Sequence, residues 1–215
     1  MRQALRRVTP LPLHFVDPLL RYLDWAGVAV FALSGALVAA VKRQTLVTFA
    51  FFAVVTGVGG GTARDLLIGA PVFWMHENAI LIICLAAAVL VWAVPRRLWN
   101  ERVLLWLDAA GLAAYATYGA AKGLAFGVAP WPAFGMGVLT ACLGGIIRDV
   151  LAGDPSILLR PELYVTAAAL SAALTVGLIE AGISPLAAGA IATAAGFALR
   201  GGAIARGWSL PAYRR

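Results

Sequence analysis

A chain of 215 residues that is 62% hydrophobic and 13% charged has too little polar surface to cover a soluble globule, so it reads as an integral membrane protein. Its net charge of +7 reflects topological bias and contact with membrane lipids, and nucleic-acid binding is not expected. Two cysteines, Cys84 and Cys142, and two histidines, His14 and His76, lack the spacing of a disulfide framework or a metal site, so no cofactor is expected.

In chain order, residues 1–23 read as an N-terminal interfacial segment, because Pro10, Pro12 and Pro18 interrupt every apolar run that a targeting peptide would need. Apolar stretches long enough to cross about 30 Å of hydrocarbon then follow. They lie near 25–41, 46–68, 78–94, 103–121, 132–152, 163–180 and 184–205, with Pro71, Pro95, Pro130, Pro155, Pro161 and Pro185 in the connections. Trp25, Trp74, Trp92, Trp99, Trp106, Trp131 and Trp208 fall close to expected span ends, as an aromatic belt does.

The chain repeats itself at an offset of 84 residues. Gly60, Arg64, Asp65, Gly69 and Pro71 are matched by Gly144, Arg148, Asp149, Gly153 and Pro155. The same offset pairs Asp24 with Asp108, Gly27 with Gly111, Phe31 with Tyr115, Gly35 with Gly119 and Thr56 with Thr140. Seven spans divide into three, three and one, and a three-span repeat must cross the bilayer in opposite directions in its two copies. The expected fold is therefore all-α: seven transmembrane helices as a 3+3 inverted repeat plus one. Residues 24–99 form the first three-helix repeat and 100–183 the inverted second. Residues 184–215 form the seventh helix and a basic C-terminal tail.

Lys42, Arg43, Arg96, Arg97, Arg102, Arg160, Arg206, Arg214 and Arg215 fall on one side of this topology. The positive-inside rule puts that side, and the C-terminus, in the cytoplasm and the N-terminus outside, although Arg2, Arg6, Arg7 and Arg21 pull the other way. The expected location is a bacterial-type inner membrane.

Two features carry the candidate chemistry. Glycines at 57, 59, 60 and 61, and at 144 and 145, stand in mid-span, where they can break the helix and expose backbone groups to a water-filled path, or can seat a neighbouring helix closely. The matched breaks favour the first reading. Arg64, Asp65, Arg148 and Asp149 follow them, and ionisable groups at that depth should face protein or water. They are pore-charge or gate candidates, with a purely structural ion pair as the alternative. Topology suggests contacts of Asp24 with Arg64 and of Asp108 with Arg148, with cross-repeat pairing as the rival.

The paired motifs Gly-Gly-Gly-Thr-Ala-Arg-Asp and Gly-Gly-Ile-Ile-Arg-Asp, each followed by Gly-x-Pro, resemble the prokaryotic branch of the trimeric intracellular cation (TRIC) channel family. The resemblance covers about residues 20–205. It implies a homotrimer in which each subunit holds a pore walled by spans one, two, four and five, shaped by bends at Gly59, Gly60 and Gly61 and at Gly144 and Gly145, with potassium as the permeant ion. This chain departs from its own pattern where Leu143 replaces a glycine and Ile146-Ile147 replace Thr62-Ala63. The Lys-Glu-Val sequence of animal members is absent, and Lys122 is the only basic residue between Leu104 and Gly123, so lipid regulation is not carried over. Lys122 joins the pore-charge candidates.

The residues alone do not name a cation: the arginines repel cations and the carboxylates attract them. Proteins of this type have also been catalogued as glycine transporters, and inverted repeats with broken helices suit an alternating-access carrier of a small zwitterion. An enzyme is not indicated, since the chain has no His-Glu-x-x-His pair and no Gly-x-Ser-x-Gly turn.

Overall fold

The computed structural model describes residues 18–95, 101–159 and 161–211. Arg2, Arg6, Arg7, His14, Arg96, Arg97, Trp99, Arg160, Arg214 and Arg215, with most of the expected interfacial segment, lie outside them, as does the side chain of Arg21. Among the described residues, seven α-helices run in the expected order: α1 Pro18–Val41, α2 Leu46–Leu67, α3 Asn78–Ala93, α4 Glu101–Ala125, α5 Pro130–Ala152, α6 Val165–Glu180 and α7 Pro185–Arg206. The first differs from expectation at its start. Pro18 opens the helix instead of interrupting an apolar run, because proline is accommodated in a first turn whose N–H groups have no helical partner.

The other boundaries follow local chemistry. Thr45 and Ser184 accept hydrogen bonds from Thr48 N and Ala187 N at 3.4 Å, and so cap α2 and α7. Pro130 and Pro185 occupy first positions of α5 and α7. By length and composition, α2, α5, α7 and the stretch Asp24–Val41 of α1 suffice to cross a membrane, while α3 and α6 are apolar but only 16 residues long. Large apolar side chains such as Val47, Phe51, Ile82 and Trp131 point outward, as a lipid-facing surface requires, and alanines, glycines and hydroxyl residues fill the interior.

The two repeats wrap around each other with matched contacts. Phe31 on α1 and its counterpart Tyr115 on α4 meet edge to face, ring centroids 5.3 Å apart. Tyr115 occupies the space over Gly27, and Phe31 the space over Gly111. Between the repeats, α2 and α5 cross antiparallel. A β-carbon on Gly60 would lie 2.2 Å from the Thr140 carbonyl oxygen, and one on Gly144 would lie 2.5 Å from that of Thr56. Within each repeat, Gly35 seats Thr56 and Gly119 seats Thr140 in the same manner.

The structure corrects one part of what was expected of the glycine runs, the break in the helix. Both α2 and α5 are helical without interruption through Gly57, Gly59, Gly60 and Gly61 and through Gly144 and Gly145. No carbonyl is freed there to coordinate an ion. In hydrocarbon each unpaired backbone group costs several kcal/mol, so the helix keeps its hydrogen bonds and uses the missing side chains for backbone approach. Gly61 likewise receives the Phe73 ring and Gly145 the Tyr164 hydroxyl.

Gly60→Ala and Gly144→Ala are each expected to lower stability by about 1–3 kcal/mol, because the new methyl meets backbone that must shift. Gly135→Ala and Gly177→Ala, where nothing lies within 4 Å, should be neutral or gain up to about 1 kcal/mol. Thermal unfolding in detergent separates these; equal losses at all four positions would remove the packing role.

Candidate functional site

Arg64 and Arg148 each sit six residues beyond the α2–α5 crossing, on opposite helices that run in opposite directions, so they occupy opposite ends of the bundle roughly 18 Å apart along the helices. Each is nearly or fully buried and is followed by its buried aspartate.

The two ends share one construction. Arg64 Nε donates to Asp65 Oδ1 at 2.8 Å, and Arg148 Nε donates to Asp149 Oδ1 at 2.9 Å. The second carboxylate oxygen of each aspartate reaches over the following loop: Oδ2 of Asp65 accepts from Phe73 N at 3.1 Å and that of Asp149 from Ile157 N at 3.0 Å. Phe73 and Ile157 open matched 3-10 turns, Phe73–His76 and Ile157–Leu159. The aspartate carbonyls accept from Ala70 N and Asp154 N, and the intervening Gly69 and Gly153 adopt φ of 69° and 70°, the left-handed conformation that ends a helix. The Arg-Asp-x-x-x-Gly-x-Pro motif is thus a helix-ending clamp as well as a charge pair.

The ends differ in what completes them. At the Arg148 end, Nη1 lies 3.1 Å from Asp108 Oδ1 and also donates to the Ser34 hydroxyl, while Nη2 lies 2.8 Å from Asp149 Oδ1. The expected Asp108–Arg148 contact is present, and Ser34 adds a partner from the other repeat. At the Arg64 end the expected Asp24–Arg64 contact is not formed: among the described residues no ion pair within 4.0 Å joins them. Arg64 folds back on Asp65, and its guanidinium lies 5.0 Å from the Tyr118 ring and 5.8 Å from that of Phe73. Asp24 instead accepts from the Tyr115 hydroxyl at 3.3 Å, which the bare backbone at Gly27 admits. Lys122 reaches in from α4 and donates to Asp65 Oδ1 at 2.8 Å.

One carboxylate oxygen at the Arg64 end therefore receives two cationic side chains, and the cluster holds Arg64 and Lys122 against Asp24 and Asp65. The other end holds Arg148 against Asp108 and Asp149. Ser34, Tyr118, Tyr164, Glu162 and Arg200 were not singled out in the sequence, and Tyr115 only as the repeat counterpart of Phe31, although Ser34 and Tyr118 are 84 residues apart and each touches the opposite repeat's arginine. On the side of the α1 and α5 C-termini, Lys42 pairs with Asp154 at 2.5 Å.

Asp149→Ala strips Arg148 of two hydrogen bonds and the Ile157 turn of its acceptor, with an expected cost of about 3–5 kcal/mol. Asp24→Asn removes the charge but keeps an oxygen that can accept the long hydrogen bond from Tyr115, and should cost no more than about 1.5 kcal/mol. Denaturant unfolding in detergent reads both; equal costs would contradict the clamp.

Comparison with known proteins agrees with this architecture. A family model described as Glycine transporter matches residues 21–96 and again 105–180. The UPF0126 inner membrane protein YadS of Escherichia coli K12 is 41% identical over 153 residues, 69% of this chain and 73% of that protein. A UPF0126 membrane protein of Vibrio cholerae is 40% identical over 154 residues, and the match spans 64% of its length. Among solved structures, the TRIC trimeric intracellular cation channel orthologue from Rhodobacter sphaeroides superimposes with a TM-score of 0.83 at 42% identity, over 89% of this chain and 100% of that one. With its duplicated three-helix unit, its paired Arg-Asp clamps and these relatives, the chain belongs to the TRIC channel family.

Proposed function

We propose that the protein is a homotrimeric, potassium-permeable channel for monovalent cations, with one pore in each subunit running between α1, α2, α4 and α5. The observation that carries this reading is the placement of the buried charges. Asp24, Arg64, Asp65, Asp108, Arg148 and Asp149, with the partly buried Lys122, all belong to these four helices and gather at the two ends of the α2–α5 crossing. Charges are costly in a bilayer and are kept where they serve a path for ions. The likeness to a solved cation channel supports the choice of ion.

Each end is closed by an arginine lying on carboxylates. Opening then consists of moving Arg64 and Arg148 off the axis, which leaves Asp24 and Asp65, or Asp108 and Asp149, to face a hydrated cation. Arg148 is the simpler of the two gates, because its movement uncovers both carboxylates, whereas Lys122 stays on Asp65 when Arg64 moves. The C-terminus faces the cytoplasm, in keeping with Lys42, Arg43 and Arg206, and the inner membrane named for YadS is the expected home. A second reading, a glycine carrier in which the same charges hold a zwitterion, rests on the inverted repeat, which alternating-access carriers also use.

Planar-bilayer recording of the purified protein under a potassium chloride gradient tests the proposal. Unitary currents reversing near the potassium potential are expected. Electrical silence with saturable glycine uptake into liposomes would replace the channel by the carrier. Lys122→Gln removes one of two cations at the Arg64 end and should raise cation conductance by a factor on the order of a few. Arg148→Ala should change conductance or open probability while the trimer still assembles; loss of assembly would reduce the pair to a structural role.

A further inference from the structure

The Arg148 end carries a second layer that the matched positions of the Arg64 end do not repeat among the described residues. Arg200 on α7, 2% exposed, is the deepest charge outside the four pore-walling helices. Its Nη2 lies 2.6 Å from Glu162 Oε2, and its guanidinium stands 5.4 Å from the Tyr164 ring. Glu162 and Tyr164 belong to the short segment before α6. That segment is held from the other side by the chain after α7: Glu162 and Ser209 form an antiparallel bridge, and Leu210 N donates to Pro161 O at 2.8 Å.

Tyr164, 1% exposed, carries this framework to the site. Its hydroxyl would lie 3.0 Å from a β-carbon on Gly145, and Arg148 Nη2 would lie 3.7 Å from the same point. Tyrosine hydroxyl and arginine thus flank one glycine. At the other end the positions 84 residues earlier are Asn78 and Ile80, which supply neither a carboxylate nor a hydroxyl, and α7 has no counterpart in the repeat.

We propose that Arg200 and Tyr164 are positioning residues for Arg148: α7 and the segment after it hold Glu162 and Tyr164 so that Arg148 stays on Asp108, Asp149 and Ser34. The two ends of the path are then governed separately, the Arg148 end by α7 and the segment that follows it, the Arg64 end by Lys122. The proposal rests on the reading of Arg148 as a gate.

The test uses Arg200→Gln, with Arg200→Lys as the conservative variant, and Tyr164→Phe and the partly exposed Glu162→Gln as independent probes. In bilayers, Arg200→Gln and Tyr164→Phe should shift open probability roughly two- to thirtyfold, the range of an indirect coupling, and Arg200→Lys should restore part of it. In an Arg148→Ala background the same changes should have no further effect. Full effects in that background would overturn the proposal.

A second readout does not depend on currents. With Cys84 and Cys142 replaced by alanine, Ser34→Cys reports the place where Arg148 rests. Its reaction with a charged thiol reagent should accelerate severalfold when Arg200→Gln or Glu162→Gln is added, and an unchanged rate overturns the proposal. Silence of the unmutated protein would count against the channel alone, since the thiol rate still decides the positioning role.

Discussion

The approach of α2 to α5 through bare backbone is the constraint on which the other contacts depend. With Gly60 against the Thr140 carbonyl and Gly144 against that of Thr56, the two helices cross at a distance that no side chain at those positions would permit. The crossing sets the antiparallel register of the repeats and thereby the distance from the midpoint to each arginine. It also leaves Thr56 and Thr140 buried at the centre, while Arg64 and Arg148 are displaced to the ends. Without a hydrophobic effect between helices in lipid, such contacts supply association through dispersion at short range.

The duplication gives both halves the same parts and the structure then uses them unequally. Each aspartate of the Arg-Asp pair holds a turn, and each arginine meets a residue from the opposite repeat. Yet Arg148 is met by Asp108 and Ser34, and Arg64 by Tyr118, Phe73 and a neighbouring lysine. A site made of two like halves that differ in charge presents a different field at each end.

The helices were legible because apolar length, proline and the 84-residue offset are direct records of the bilayer and of the duplication. The Asp108–Arg148 contact was legible for the same reason, since topology brings matched positions to one end. The mirror contact failed because Tyr115, at the position of Phe31, carries a hydroxyl that takes Asp24, and Lys122 has no basic counterpart in the first repeat, where Val38 stands. The break expected at the glycine runs is not present, because a missing side chain serves interruption and close approach equally well, and only the neighbour decides. Arg200 and Glu162 escaped notice because α7 lies outside the repeat and the partner of Tyr164 is the apolar Ile80. The clamp could have been read from the glycine four residues after each aspartate and the proline two further on.

That clamp has a consequence for the shape of the protein in its bilayer. By turning the chain back at Gly69 and Gly153 and seating a 3-10 turn on each aspartate, it consumes residues that would otherwise lengthen the next helix, and α3 and α6 are left with 16 residues apiece. Such helices span about 24 Å, some 6 Å less than a typical hydrocarbon core. Lipid beside them must thin, or be replaced by protein, at a cost of a fraction of a kcal/mol for each ångström of mismatch. The perimeter is therefore uneven in height. The same two aspartates that hold the arginines thus also set how early the chain can enter α3 and α6.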